Sequence, residues 1–178
     1  MKKICSHVVA LLVSLVCLQA CGGGSAGVVP LEQVQKKAYI SFATVTSDPS
    51  KQLRGVVLEA VLPEGLTVAT DPVPIVTDPD AFNISSSALK GEANQQTFGT
   101  YNKVTKKVKI TVVTFATDIV IGTFATLTCN VISGYTFSAS QFTSSIIPSN
   151  SSAFQATDQN GVDLTLTVTP KISVTFGY

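Results

Sequence analysis

The sequence predicts an all-β domain, an antiparallel β-sandwich, on three observations. From Ala38 onward most of the chain alternates apolar and polar residues with a period of two, the spacing of strands with one buried face. Charged residues make up only 13% of the sequence, whereas Val, Ile, Phe, Ser and Thr abound, a composition suited to pleated surfaces rather than helices. Turn signals built from Gly, Pro, Asn and Asp separate the alternating runs at short intervals, as in sandwiches.

Two segments of different character come first. Lys2 and Lys3 precede an apolar run, Val8 to Leu18, in which only Ser14 is polar. A spanning helix needs about 20 apolar residues, so this run is too short. With Ala20 behind it, the run forms a secretion signal over residues 1–20. Leu18-Gln19-Ala20-Cys21 resembles the lipoprotein box of bacterial lipoproteins, with Leu three residues before the cysteine and a small residue directly before it. The resemblance implies cleavage ahead of Cys21 and lipidation of that residue. It also implies a cell-envelope location, with Gly22 rather than Asp suiting onward transfer to an outer membrane. Several acyl chains, at about 0.8 kcal/mol per buried CH₂, hold a protein essentially permanently. In an ordinary signal peptide the same cysteine is incidental.

Removing residues 1–20 changes the chemistry available to the rest. The one histidine, His7, leaves with the signal, as do Cys5 and Cys17, so Cys129 is the sole thiol besides Cys21 and no internal disulfide forms. Without Lys2 and Lys3 the 12 basic side chains no longer outnumber the 11 acidic ones. A near-neutral chain with no basic cluster gives no footing for nucleic acid. Without histidine, Ser-His-Asp and Cys-His arrangements are excluded, and the remaining carboxylates sit at turns, so no enzyme and no cofactor is expected. Residues 21–36 read as a Gly-rich tether and residues 37–178 as one domain. At the join between them, LEQVQKKA has the makings of a turn or two of helix.

Along the domain, AYISFATVTS sets Ile40 and Phe42 against Tyr39, Ser41, Ala43 and Val45, and RGVVLEAVLP offers Val56, Leu58, Ala60 and Leu62 as its core face. The segment from Thr70 to Phe82 carries three prolines among acids, with Pro63 ahead of it, and reads as loop, since proline cannot pair in a central strand. Asp71, Asp78 and Asp80 in it are candidates to supply oxygens to calcium, against the alternative of solvated turn residues. SSSALKGEA suggests a single helical turn. NQQTFGTYNK, residues 94–103, is the candidate recognition loop because it combines amides with aromatics, and Phe98, Tyr101 and Asn102 are its candidate ligand-binding residues. KKVKITVVTF resumes alternation with Val108, Ile110 and Val112 on one side.

GTFATLTCNVISG places Ala125, Leu127, Cys129 and Val131 on the apolar side and Phe124 on the other, so Cys129 reads as a small buried hydrophobe. In GVDLTLTVTPKISVTFGY the even positions from Val162 to Val168 and from Ile172 to Phe176 form a core face. Pro170 is expected to bend the run and pass it from one pairing to another. Asn160-Gly161 signals a type I′ hairpin returning from SAFQAT.

The succession RGVVLEAVLPEGLTV, KVKITVVTF, GTFATLTCNVISG and SAFQATDQNGVDLTLT resembles a cohesin-type domain, most closely at Gly122-Thr123-Phe124-Ala125-Thr126-Leu127 and Asp158-Gln159-Asn160-Gly161. The resemblance covers most of residues 38–178 and implies a jelly-roll sandwich of about nine strands. The family fold is shared with carbohydrate-binding modules, and its best-known members bind dockerin modules. The resemblance therefore implies one of two functions. One is a non-catalytic module that holds a protein partner, dockerin-like by family analogy, at the membrane to which its lipid is fixed. The other is a carbohydrate-binding module stacking polysaccharide on exposed aromatics.

Overall fold

The strands begin where the alternation begins. The computed structural model describes residues 34–178 apart from 49, 51, 115–120, 144–145 and 150–151. The signal, Cys21 and the tether up to residue 33 lie outside the described residues. Among those described, eleven strands run in order: β1 (Lys37–Thr46), β2 (Gly55–Val61), β3 (Leu66–Val68), β4 (Thr70–Ile75), β5 (Asp78–Ile84), β6 (Leu89–Gly91), β7 (Gln96–Asn102), β8 (Lys107–Val113), β9 (Thr123–Val131), β10 (Phe154–Thr157) and β11 (Val168–Gly177). They form two antiparallel sheets. One has the order β11-β1-β9-β3, with β6 also pairing β9, and the other the order β10-β2-β8-β7-β5-β4. Among the described residues no helix is long and apolar enough to cross a membrane.

The inner faces of both sheets meet in one core, and period-two alternation put most of it there. Ala38, Ile40 and Phe42 of β1, Val56, Leu58 and Ala60 of β2, Val108, Ile110 and Val112 of β8, and Leu127 and Cys129 of β9 are all buried. Phe124 is buried with them, against expectation. Phe42 pairs with Ala125 but Ala43 pairs with Thr123, so Phe124 is the extra residue of a bulge that turns two successive side chains inward.

Four further expectations are corrected. The proline-rich segment is not loop but the hairpin β4–β5. β4 is the edge of its sheet, so the N–H groups that Pro72 and Pro74 lack have no strand to meet, and its register slips on both sides of Pro74. LEQVQKKA makes no helix where it is described, because Lys37 and Ala38 already belong to β1. Residues 162–167 are not strand. Asp163 accepts a hydrogen bond from the Thr165 N–H, Thr167 and Val168 donate to the Leu164 carbonyl, and the resulting turn leaves Leu166 98% exposed. The Thr165 hydroxyl and N–H also hold the Asp163 carboxyl below its usual range. Finally, β11 does not change partner at Pro170. It stays in register with β1 from Val168 to Gly177, because β11 is an edge strand that tolerates proline.

The turn signals fared better. Ser85–Leu89 closes one α-turn, with Leu89 N–H donating to the Ser85 carbonyl. At Asn160-Gly161 the chain does reverse, but only Gly161 (φ 76°) has positive φ. Gly161 N–H donates to the Asp158 carbonyl and Asp158 N–H to Val162, a three-residue turn ending in a left-handed glycine rather than type I′. β10 pairs with β2 and meets the returning chain at the isolated bridge Thr157–Asp163, beside which Leu164 N–H donates to the Ala156 carbonyl and Ala156 N–H to the Thr165 hydroxyl.

One end of the two sheets is set by the entry of the chain. The Gln35 side chain donates to the Phe137 carbonyl and accepts from the Phe137 N–H, while Lys36 N–H donates to Gly177. The part of the expected tether at residues 34–36 is thereby bonded to the domain. The link from Leu62 to Gly65 joins the two sheets at this same end, with Leu62 N–H donating to Lys106 and Ile132 N–H to Gly65.

Candidate functional site

Gln96–Asn102, expected as a recognition loop, is an inner strand. Alternation then separates the candidate residues. Phe98, Thr100 and Asn102 sit opposite Thr111, Lys109 and Lys107 of β8 on the outward face, whereas Gly99 and Tyr101 sit opposite Ile110 and Val108 on the inward face. Tyr101 is accordingly core, 2% exposed, with its phenol pushed up by burial and so removed from any surface role. Phe98 is 57% exposed. Asn102 is half-buried and committed to structure: its carbonyl accepts from the Val104 and Thr105 N–H groups, and its amide donates to Asp78. Phe98 and Tyr101 are three apart, a spacing that cannot share a face of a strand. The run Thr97-Phe98-Gly99-Thr100-Tyr101 already carried β-forming residues, but the flanking amides and Gly99 concealed it.

Around Phe98 there is a groove of about 550 Å³. It exists because β5 and β7 pair only between Ala81–Asn83 and Thr100–Asn102. Its walls include Asp71, Asn83, Phe98, Thr100, Lys109 and Thr111. Beneath it, the bare Cα of Gly99 admits Leu89 and Ile84, which would lie 2.6 Å and 2.8 Å from a Cβ there. The apolar floor thus comes from one strand of each sheet, Leu89 of β6 and Ile84 of β5. The walls are one amide, several hydroxyls, one acid and one base around a single aromatic ring. Lys109 stands 3.9 Å from Glu59 Oε1, while Lys107 takes the closer place at 3.2 Å from Oε2, so the Lys109 ammonium keeps donors for another partner. A second depression of about 560 Å³, between Arg54, Val113 and Gln159, has no aromatic in its lining.

The acids proposed for calcium do not converge. Asp71 lines the groove, while Asp78 accepts from Asp80 N–H and from Asn102. Among the described residues no three of His, Cys, Asp and Glu are placed to hold a metal ion. Cys129 is buried between Ala38 of β1 and Val68 of β3, and burial pushes its thiol up to about 12. Native protein is therefore expected not to react with a thiol reagent that labels it after unfolding. Burial also fixes the sign of a pH effect. Above an ordinary value of 9.0 the unfolded chain loses this proton while the folded one keeps it, so stability falls from about pH 9 to about pH 12. Cys129→Ala should flatten that part of a denaturation profile.

No protein-family model matches the chain, and no curated protein and no solved structure matches it either.

Proposed function

We propose that this chain is a non-catalytic binding module, anchored in the cell envelope through lipid on Cys21, whose sandwich is a cohesin-like jelly roll and whose groove beside Phe98 holds a segment of polysaccharide. The observation that carries the ligand is the exposed Phe98 ring set among Asn83, Thr100, Thr111, Asp71 and Lys109. A sugar presents an apolar face of C–H groups ringed by hydroxyls, and an aromatic ring circled by amides, hydroxyls and charges is its complement. The groove's volume falls within the range of about 300–1,000 Å³ usual for small-ligand sites. A protein partner would instead cover about 800 Å². Glycoside hydrolysis needs two carboxyl groups across the bond, and the groove lining offers Asp71 alone.

Phe98→Ala is expected to weaken retention of the full chain on a polysaccharide affinity gel about ten-fold, since ring stacking adds about 0.5–1.5 kcal/mol beyond buried area. The stability of this variant should change by no more than about 0.5 kcal/mol, because the ring is largely outside the core. Undiminished retention of the variant would sink the groove reading. The protein-partner reading is supported by another part of the same outward face, where Glu59, clasped by Lys107 and Lys109, lies next to Val57 and Val61. A partner protein lost on Glu59→Lys and kept on Phe98→Ala would favour that reading over polysaccharide.

A further inference from the structure

We propose that the end of the sandwich at Val34 seats in the headgroup region of the lipid bilayer, with the Phe98 groove on the half of its sheet turned away. The proposal rests on the anchoring of Cys21 and adds to it an orientation. Four separate segments at this end carry exposed apolar side chains: Val34 before β1, Val76 in the β4–β5 turn, Val104 in the β7–β8 turn, and Ile132 with Tyr135 after β9. Tyr178 adds a further ring at this end, since the residue before it, Gly177, accepts from the N–H of Lys36, two residues after Val34. Backbone bonds show that these segments share one end. Lys103 N–H donates to Asp80, Leu62 N–H to Lys106, Ile132 N–H to Gly65 and Val131 N–H to Lys36.

Single exposed apolar residues are ordinary, but turns normally expose Gly, Asn, Asp and Ser. Among the described residues at the far end, exposed Val162 and Leu166 belong to one loop, next to the polar turn Asp158-Gln159-Asn160-Gly161, and exposed Val45 lies within β1. Val76 is 100% and Val104 70% exposed. Lys36, Lys37, Lys103 and Lys106 lie in the segments that carry the apolar tips and exceed Glu64, Asp78 and Asp80 by only one charge, so the contact is made chiefly by apolar tips with lysine stems along the interface rather than by net charge.

The tether makes a weak contact sufficient. The covalent chain from Cys21 to Val34 is 13 residue steps long and reaches at most about 45 Å, at about 3.3–3.6 Å per residue. It enters the domain at this end, so the apolar tips are held near the bilayer at an effective concentration of about millimolar.

The test uses the full chain with single reporter cysteines, Val104→Cys or Leu166→Cys, carrying an environment-sensitive fluorophore. Cys129 is buried and does not compete for the label, and lipidation occupies Cys21. The acylated protein is reconstituted into vesicles of phosphatidylethanolamine and phosphatidylglycerol with brominated acyl chains. Quenching at residue 104 is expected to exceed that at residue 166 by at least about three-fold, as for groups seated about 5–10 Å into the interface. Equal quenching on vesicle-bound protein, or stronger quenching at 166, overturns the orientation and leaves the anchor standing. Protein that fails to sediment with the vesicles overturns the anchor, and the orientation with it.

Discussion

Phe124→Ala is expected to lower the unfolding free energy by about 3–5 kcal/mol, the cost of emptying a fully buried phenylalanine site. The side chain is 0% exposed, although strict alternation assigns it to the solvent face. It reaches the core because the bulge opposite Phe42 and Ala43 adds a residue to β9, so Phe124 and Ala125 both turn inward. Thr126→Ala, two residues on and on the outer parity, should change stability by no more than about 0.5 kcal/mol. Urea midpoints with an unchanged slope measure both. Similar small losses at Phe124 and Thr126 would mean that the register shift is wrong and that β9 alternates without interruption.

Phe124 also illustrates which part of the fold was legible in the sequence. β1, β2 and β8 were readable because each has one buried and one solvated face, and alternation reports that directly. β9 was readable beyond its bulge, from Ala125 onward, but not at it, since an added residue is decided by the partner strand and leaves no local mark. The β4–β5 hairpin was not readable, because whether proline is tolerated depends on which strand lies at the sheet edge, a tertiary fact. In residues 162–167 the alternation was present but misleading: Asp163 captures the following N–H and the chain turns before a strand can form. The groove was half legible. Phe98, a candidate ligand-binding residue by its place among amides, is exposed, but Asp71 and Lys109 join it only through β4 and β8, whose order no local pattern reports.

Gly65→Ala should be the other costly change, about 2–4 kcal/mol, from two separable causes. Gly65 has φ 89°, a conformation that costs an ordinary residue about 1–2 kcal/mol. A Cβ there would also fall 2.3 Å from both Cγ and Cδ1 of Tyr135. These atoms lie at the root of the ring, so relief requires the whole side chain to leave. Tyr135 stacks on Phe137 at 6.3 Å, Phe137 meets Phe142 edge-on at 5.9 Å, and Phe142 meets Phe176 at 5.9 Å. Displacing the first ring therefore loosens the segment that clamps Gln35. Tyr135→Ala separates the two causes. In that background the clash is gone, and Gly65→Ala should cost only the backbone term of about 1–2 kcal/mol. Faster hydrogen exchange at Lys36 and Phe137 should accompany the single variant and exceed that of the double. Strict additivity of the two substitutions would show that the ring does not rest on Gly65, and the account of how this end is closed would fail with it.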